Sequence, residues 1–320
     1  MTFRGLCANN LSAWDAEIPM NRIVAITGVS GSGKSSLLFD VVEASLRRQQ
    51  ATGCVSFVVP GGTQAFHTIH SSRDLGRGRT VLSALDLMPA LQKLYMQQAE
   101  REGSSLKKQA FSFSSPAGRC EGCKGSGREQ IPMDFMGDLN LPCAACGGGR
   151  YRSESLAVRW RGMHVAKFLK QPAQVLLSML SDGESHKLHR ALFALGEAGL
   201  AHLSLGRDMS GLSAGERQRV ALAAGTFADR GPALYLLDEP GKGLHETDIQ
   251  RLNVWLRKLV EMGHTVLMGE HRLGLIAHAD WVLDLGPEGG PAGGQLVEQG
   301  TPGSLGEGHT AHALRSFLGG

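Results

Sequence analysis

Three apolar runs punctuate the chain, and each ends at polar residues with chemical potential. RIVAIT, at 22–27, is short and rich in β-formers and leads into a glycine loop, after which helical spacing runs from Lys34 to about Gln50. ALYLLDE, at 233–239, ends in two carboxylates, the pattern of a buried parallel strand that stops at a site. A third run leads into VLMGEHR, with His271 at its end. Between the first two, apolar spacing predicts helices over 80–101 and 185–200, whose stripes pack against their own domain. The predicted fold class is α/β.

The loop GVSGSGKS, from Gly28 to Ser35, matches GxxxxGK[ST] in the strand, loop, helix context that a phosphate-binding loop requires. Gly28, Gly31 and Gly33 let the backbone wrap phosphates, and Ser30 and Ser36 belong to the same cradle. Lys34 reaches the β- and γ-oxygens of ATP and Ser35 holds Mg²⁺. A bare glycine turn would need neither Lys34 nor Ser35. At the end of the second run, Asp238 is expected to hold the Mg²⁺ water shell and Glu239 to polarise the attacking water.

About twenty residues upstream of that strand stands LSAGERQRVALA, in which Ser213 caps a helix and Glu216 reaches back. In this position it reads as an ABC-type signature, whose Ser213 and Gly215 contact the γ-phosphate held by another cassette. His271 then falls where such ATPases place a histidine that senses the γ-phosphate.

Cys120 and Cys123 form one CxxC pair and Cys143 and Cys146 another, with 19 residues between the pairs. That spacing fits a four-thiolate, structural Zn²⁺ site with no open coordination position. Disulfides are not expected in a reducing cytoplasm. Cys7 and Cys54 fall in predicted strands and read as small buried hydrophobes.

Composition adds bounds. With 320 residues, 42% hydrophobic and 20% charged, the chain suits one large domain or two modest ones. No stretch reaches the roughly 18 apolar residues that span a bilayer, and MTFRGLCANN lacks the pattern of a secretory signal, so a cytoplasmic location is expected. A net charge of +3 does not by itself call for a polyanion. Local clusters do lean that way: Arg73, Arg77 and Arg79; Lys107, Lys108, Arg119, Lys124 and Arg128; Arg150 and Arg152. Taken singly, each cluster is better explained by a solvated face; it is their concentration on both sides of the cysteine pairs that leans toward a polyanion.

The motifs in this order carry a resemblance to the UvrA family, the damage-recognition ATPases of bacterial excision repair, and specifically to its C-terminal half. The residues that carry it span nearly the whole chain: RGLCANNLSAWDAEIP, ITGVSGSGKSSL, FSFSSPAGRCEGCKGSG, PCAACGGGRY, LSAGERQRVALA, LYLLDEPGKGLH and EHRLGLIAHADWVLDLGPEGGPAGGQLVEQGTP. The resemblance implies an ABC-type P-loop ATPase core over about 1–60 and 205–320, interrupted over 61–204 by a mainly helical signature region with a zinc module at about 111–152. It also implies ATP-dependent DNA binding in damage recognition, without nuclease activity in this chain.

The sequence departs from the family in ways that bear on function. Each motif occurs once, so the ATP site needs a second cassette, from a homodimer or a separate half-size chain. The family's first half, which binds UvrB, has no counterpart here, and a UvrB-type partner is not expected. EPTTGLH becomes EPGKGLH, which places Gly241 and Lys242 after the DE strand, and LSGGE becomes LSAGE with Ala214. The family's Q-loop glutamine aligns with Ser72, and GSSLKKQAFSF replaces a glycine-rich segment. Three functions therefore compete: a repair or damage-sensing ATPase, a self-resistance protein that strips drugs from DNA, and an ABC-type regulator that does not bind DNA.

Overall fold

The computed structural model describes the chain apart from residues 62–64, 71–78, 132–138, 182, 227–230, 307 and 320 and the side chains of 65, 69, 70, 130, 131, 140 and 226. Ser72, Arg73 and Arg77 lie outside the described residues. In chain order the strands are β1 (Thr2–Arg4), β2 (Ala16–Glu17), β3 (Ile23–Gly28), β4 (Ser56–Val58), β5 (Ala65–His70), β6 (Arg128–Ile131), β7 (Leu139–Pro142), β8 (Ala233–Asp238), β9 (Thr265–Gly269), β10 (Trp281–Gly286) and β11 (Gln295–Gly300). Contacts divide the chain into two units, Met1–Arg73 with Ala228–Gly320, and Asp74–Phe227.

The first unit is built on a six-stranded sheet in the order β11-β10-β3-β9-β8-β5. All its pairings are parallel except that of β10 with β11. Strands covered on both faces must be apolar throughout, and the runs noticed in the sequence are these interior strands. Every residue of β9 and all but the last of β3 and β8 are buried. One core cluster joins Val24, Ile26, Leu234, Leu236, Leu267 and Leu283 from the sheet to Leu37, Leu38, Val41 and Val42. Those last four lie on a π-helical stretch, Ser36–Glu43, that continues as the α-helix Ala44–Arg48 and ends where Gln49 turns to φ 52°. A small antiparallel sheet, β2-β1-β4, completes the unit.

The second unit is mainly helical. An aromatic cluster holds it, with Tyr95 against Phe111 at 5.7 Å and edge-on to Phe168 at 6.0 Å, and Trp160 against Phe168 at 5.6 Å. The helix Ala214–Thr226 belongs to this unit, against the helix His186–Glu197.

Two expectations need correction. The helix foreseen over 80–101 is two helices, Val81–Ala84 and Met88–Arg101. Asp86, at φ 48°, ends the first, and Pro89 in the first turn of the second favours a fresh start over continuation. Cys7 is exposed and lies in no strand, and Cys54 is buried but also outside any strand. Cys7 lies in irregular backbone and Cys54 in the bend after Gly53, and the two segments meet where Cys7 donates its backbone N–H to the Gly53 carbonyl at 2.8 Å.

Because β9 is buried on both faces, Leu267→Ala should destabilise the chain by about 2–5 kcal/mol, whereas Val254→Ser, on an exposed helix face, should change stability by about 0.5 kcal/mol or less. Urea denaturation midpoints of the two variants check this.

Candidate functional site

The sheet order places β9 between β3 and β8, so the loops leaving the carboxyl ends of three neighbouring parallel strands meet. In open α/β sheets that edge is where ligands bind. The loop after β3 carries the phosphate-binding motif, the loop after β8 carries Glu239, and the loop after β9 carries His271. The ladder runs on past the strand ends: Glu239 N–H donates to the Gly269 carbonyl at 2.8 Å and Glu270 N–H to the Ile26 carbonyl at 3.0 Å. An open cleft of about 1200 Å³ results. It is lined by Gly28, Ser30, Gly31, Gly33, Lys34, Ser35 and Ser36, with Glu239 and His271 among the residues opposite. Asp238 ends β8 next to Glu239 but does not itself line the cleft.

The loop's backbone demands glycine at its start. Gly28 has φ +130°, and a Cβ there would lie 2.0 Å from the Leu285 carbonyl oxygen of neighbouring β10. Lys34 folds back along the loop and donates to the carbonyls of Gly28 and Val29, each at 2.8 Å. Burial draws its ammonium below the ordinary lysine range, against the opposing pull of Glu239, Asp284, Asp238 and Glu270. A partly desolvated cation over a glycine cradle is suited to a polyphosphate.

Glu239 adopts φ +45°, and its Oε2 accepts from Lys242. That ammonium holds the Glu239 carboxyl below the usual carboxylate range, in spite of burial. The Lys242 of EPGKGLH is thus in contact with the group expected to handle water.

Residues with no motif of their own also build the cleft. Asn10 Nδ2 donates to the carbonyls of Gly31, at 2.9 Å, and Gly290, at 3.1 Å, and Asn9 Nδ2 to Ser36 Oγ at 2.9 Å and Asp40 at 2.7 Å. Glu270 is fully buried and accepts backbone N–H groups from two loops. The signals were the asparagine pair in CANN and the Glu before His271, but nothing in their spacing names a partner.

Ser213 and Gly215 lie in the second unit. Ser213 N–H donates to Glu216 Oε2 at 2.8 Å and Glu216 N–H to Ser213 Oγ at 3.2 Å, a reciprocal capping box.

In the same unit the four cysteines converge. The β6-β7 hairpin aligns Arg128 with Pro142 and so brings the second pair beside the first. Cys143 N–H donates to the Gly127 carbonyl at 3.0 Å and Cys120 N–H to that of Arg150 at 2.8 Å. All four Sγ atoms lie within 4.8 Å of one another, and those of Cys123 and Cys146 are 3.7 Å apart. Tetrahedral zinc thiolates at 2.3 Å from the metal sit about 3.8 Å apart, so this set could hold a zinc ion. Burial raises the Cys123 thiol, but N–H groups of Gly127 and Gly125 and the neighbouring thiols outweigh it and bring it down to about 7. Cys143 is held up at about 12: burial and the neighbouring Glu129 and Cys146 side chains outweigh backbone N–H groups that favour its thiolate.

Basic groups around this module are partly spoken for. Asp208 pairs with Arg128 at 2.6 Å and Arg150 at 2.8 Å, and Glu121 pairs with Arg152. Lys107, Lys108 and Lys124 are exposed.

The ABC transporter family model matches residues 150–242. The UvrABC system protein A of Xylella fastidiosa (strain 9a5c) is 36% identical over 98% of this chain and 34% of its own length. That of Staphylococcus aureus (strain COL) is 37% identical over 94% of this chain and 32% of its own. This chain therefore spans about a third of the length of these relatives. The crystal structure of UvrA2 from Deinococcus radiodurans superposes with a TM-score of 0.82 at 34% identity, covering 98% of this chain and 39% of that one. A metal-chelate type ABC transporter, at 16% identity and a TM-score of 0.51, shares the fold. The fold is that of an ABC-type ATPase. Among the described residues no helix is long and apolar enough to cross a membrane.

In metal-free chain, Cys123 should be alkylated by iodoacetamide well before Cys143, with its rate half-maximal near pH 7 and falling below it as the thiolate protonates. Peptide mass spectrometry across a pH series checks the order.

Proposed function

The chain is a UvrA-like half with an ABC-type ATPase cassette, and on that premise we propose that it binds DNA in an ATP-dependent manner in damage recognition or excision repair. The observation that carries the ATPase part is the meeting of Lys34, Glu239 and His271 in one cleft. DNA binding is supported by the match to UvrA over nearly the whole chain.

In this reading Lys34 leaves the loop carbonyls for the β- and γ-phosphates of ATP. Ser35 would hold Mg²⁺ and Asp238 its water shell, and the ion would supply positive charge against the phosphate. Glu239 Oε2 is engaged by Lys242, so Oε1 is the oxygen that orients the attacking water. His271 approaches the γ-phosphate from the loop after β9. Ser213 and Gly215, at the positive end of a capped helix, serve ATP held by a second cassette, most simply another copy of this chain. The four cysteines would hold a structural Zn²⁺ as four thiolate ligands, a set suited to bracing the two knuckles rather than to catalysis. Free thiols and a zinc site suit a reducing, cytoplasmic location. Hydrolysis resets the DNA-contacting surface. Recruitment of a UvrB-type partner does not enter this reading.

Glu239→Gln should keep nucleotide binding and lower kcat by about 100-fold or more, measured by steady-state ATPase and binding of a fluorescent ATP analogue; turnover at the wild-type rate would contradict the assignment. Duplex DNA affinity of the zinc-loaded chain should fall at least about tenfold between roughly 50 and 200 mM salt, and salt-insensitive or absent binding would leave a regulator that does not act on DNA.

A further inference from the structure

We propose that Glu270 is a positioning residue for ATP turnover, tying the loop after the hydrolytic Glu239 to the loop that carries His271 so that both groups are presented as one unit. The proposal rests on the ATPase reading of the cleft.

Glu270 is fully buried; among the described residues no lysine or arginine pairs with it, and only the His271 ring, with Nδ1 3.6 Å from Oε1, comes within ion-pair range. A buried carboxylate without a cation survives only when hydrogen bonds replace its water. Here backbone does so, from two directions. Oε2 accepts the N–H of Gly241 at 2.7 Å, and Oε1 accepts those of His271 at 2.8 Å and Arg272 at 2.9 Å. One side chain thereby joins the peptide group of Gly241 to those of His271 and Arg272. Its own backbone N–H, bonded to Ile26, fixes the junction to the strand that launches the phosphate loop.

What the tie holds is otherwise poorly determined. Glu239 sits at φ +45°, a conformation that non-glycine residues adopt at a cost, within a tight turn closed by Lys242 N–H to the Glu239 carbonyl at 3.0 Å. Gly241 is where that turn touches the histidine loop. A Cβ at 241 would come within 2.9 Å of Glu270 Oε2, Arg272 Cγ and Leu275 Cδ1. The glycine of EPGKGLH therefore has a physical partner: it allows the peptide N–H to reach the carboxylate. Both oxygens are used, so only an acceptor at each position makes the tie. A glutamine has the same shape but turns an NH₂ toward one of the loops.

Glu270→Gln should lower kcat about 10- to 100-fold while ATP affinity stays within about twofold. Gly241→Ala should act in the same direction, and the double variant should be no slower than the slower single one. Thermal unfolding confirms that each variant is folded. A direct readout uses amide hydrogen exchange: in Glu270→Ala, which removes both acceptor oxygens, the amides of Gly241, His271 and Arg272 should lose protection together. Wild-type turnover in Glu270→Gln, or loss of protection in one loop with the other unchanged, would overturn the proposal. If instead Glu239→Gln hydrolyses ATP normally, the ATPase reading falls, and the exchange result still decides whether the tie exists.

Discussion

The pairing of β9 between β3 and β8 is the constraint on which the functional cleft depends. Parallel strands in register deliver their carboxyl ends to one edge, and here Ile26 and Asp238 both stand opposite Gly269. Backbone pairing thereby brings three loops that are distant in the chain to one place, and the Glu270 side chain ties two of them. These strands are apolar on both faces, so the hydrophobic pattern alone does not set their register; the bonds that continue the ladder past the strand ends, Glu239 N–H to Gly269 and Glu270 N–H to Ile26, help to fix it.

Charge then refines what the ladder begins. Lys34 is surrounded by carboxylates yet engaged only by carbonyls of its own loop, whereas Glu239 is held by Lys242 and Glu270 by peptide N–H groups. Each ionised group thus has a partner that stays in place or can be exchanged for phosphate. The second unit uses the same economy of local contacts: a hairpin aligns two knuckles, N–H groups favour the Cys123 thiolate, and Asp208 binds the arginine that follows each CxxC pair.

Much of this was legible in the sequence because it is written in short spacings. GxxxxGK[ST], the DE after an apolar run, the S-x-x-E capping box and two CxxC pairs each act within a few residues, and the structure forms the expected local shape at each. What spacing does not encode is pairing at a distance. Glu270 looked like any polar residue beside a histidine until Gly241 was seen against it, and Asn10 acquired a role only through Gly31 and Gly290. Apolar periodicity continues across the break at Asp86 and hides it, and a small apolar residue in a loop, such as Cys7, carries the same local pattern as one in a strand.

The central claim is that this cleft is half of an ATP site, completed by the signature of another copy. Mixing two impaired chains tests it most directly: Lys34→Ala removes the phosphate lysine but keeps the signature, and Ser213→Arg blocks the signature but keeps the lysine. Each should be inactive alone, and the mixture should recover ATP turnover, because one composite site per mixed pair is intact. A Ser213→Arg chain that turns over ATP at the wild-type rate by itself would contradict the account.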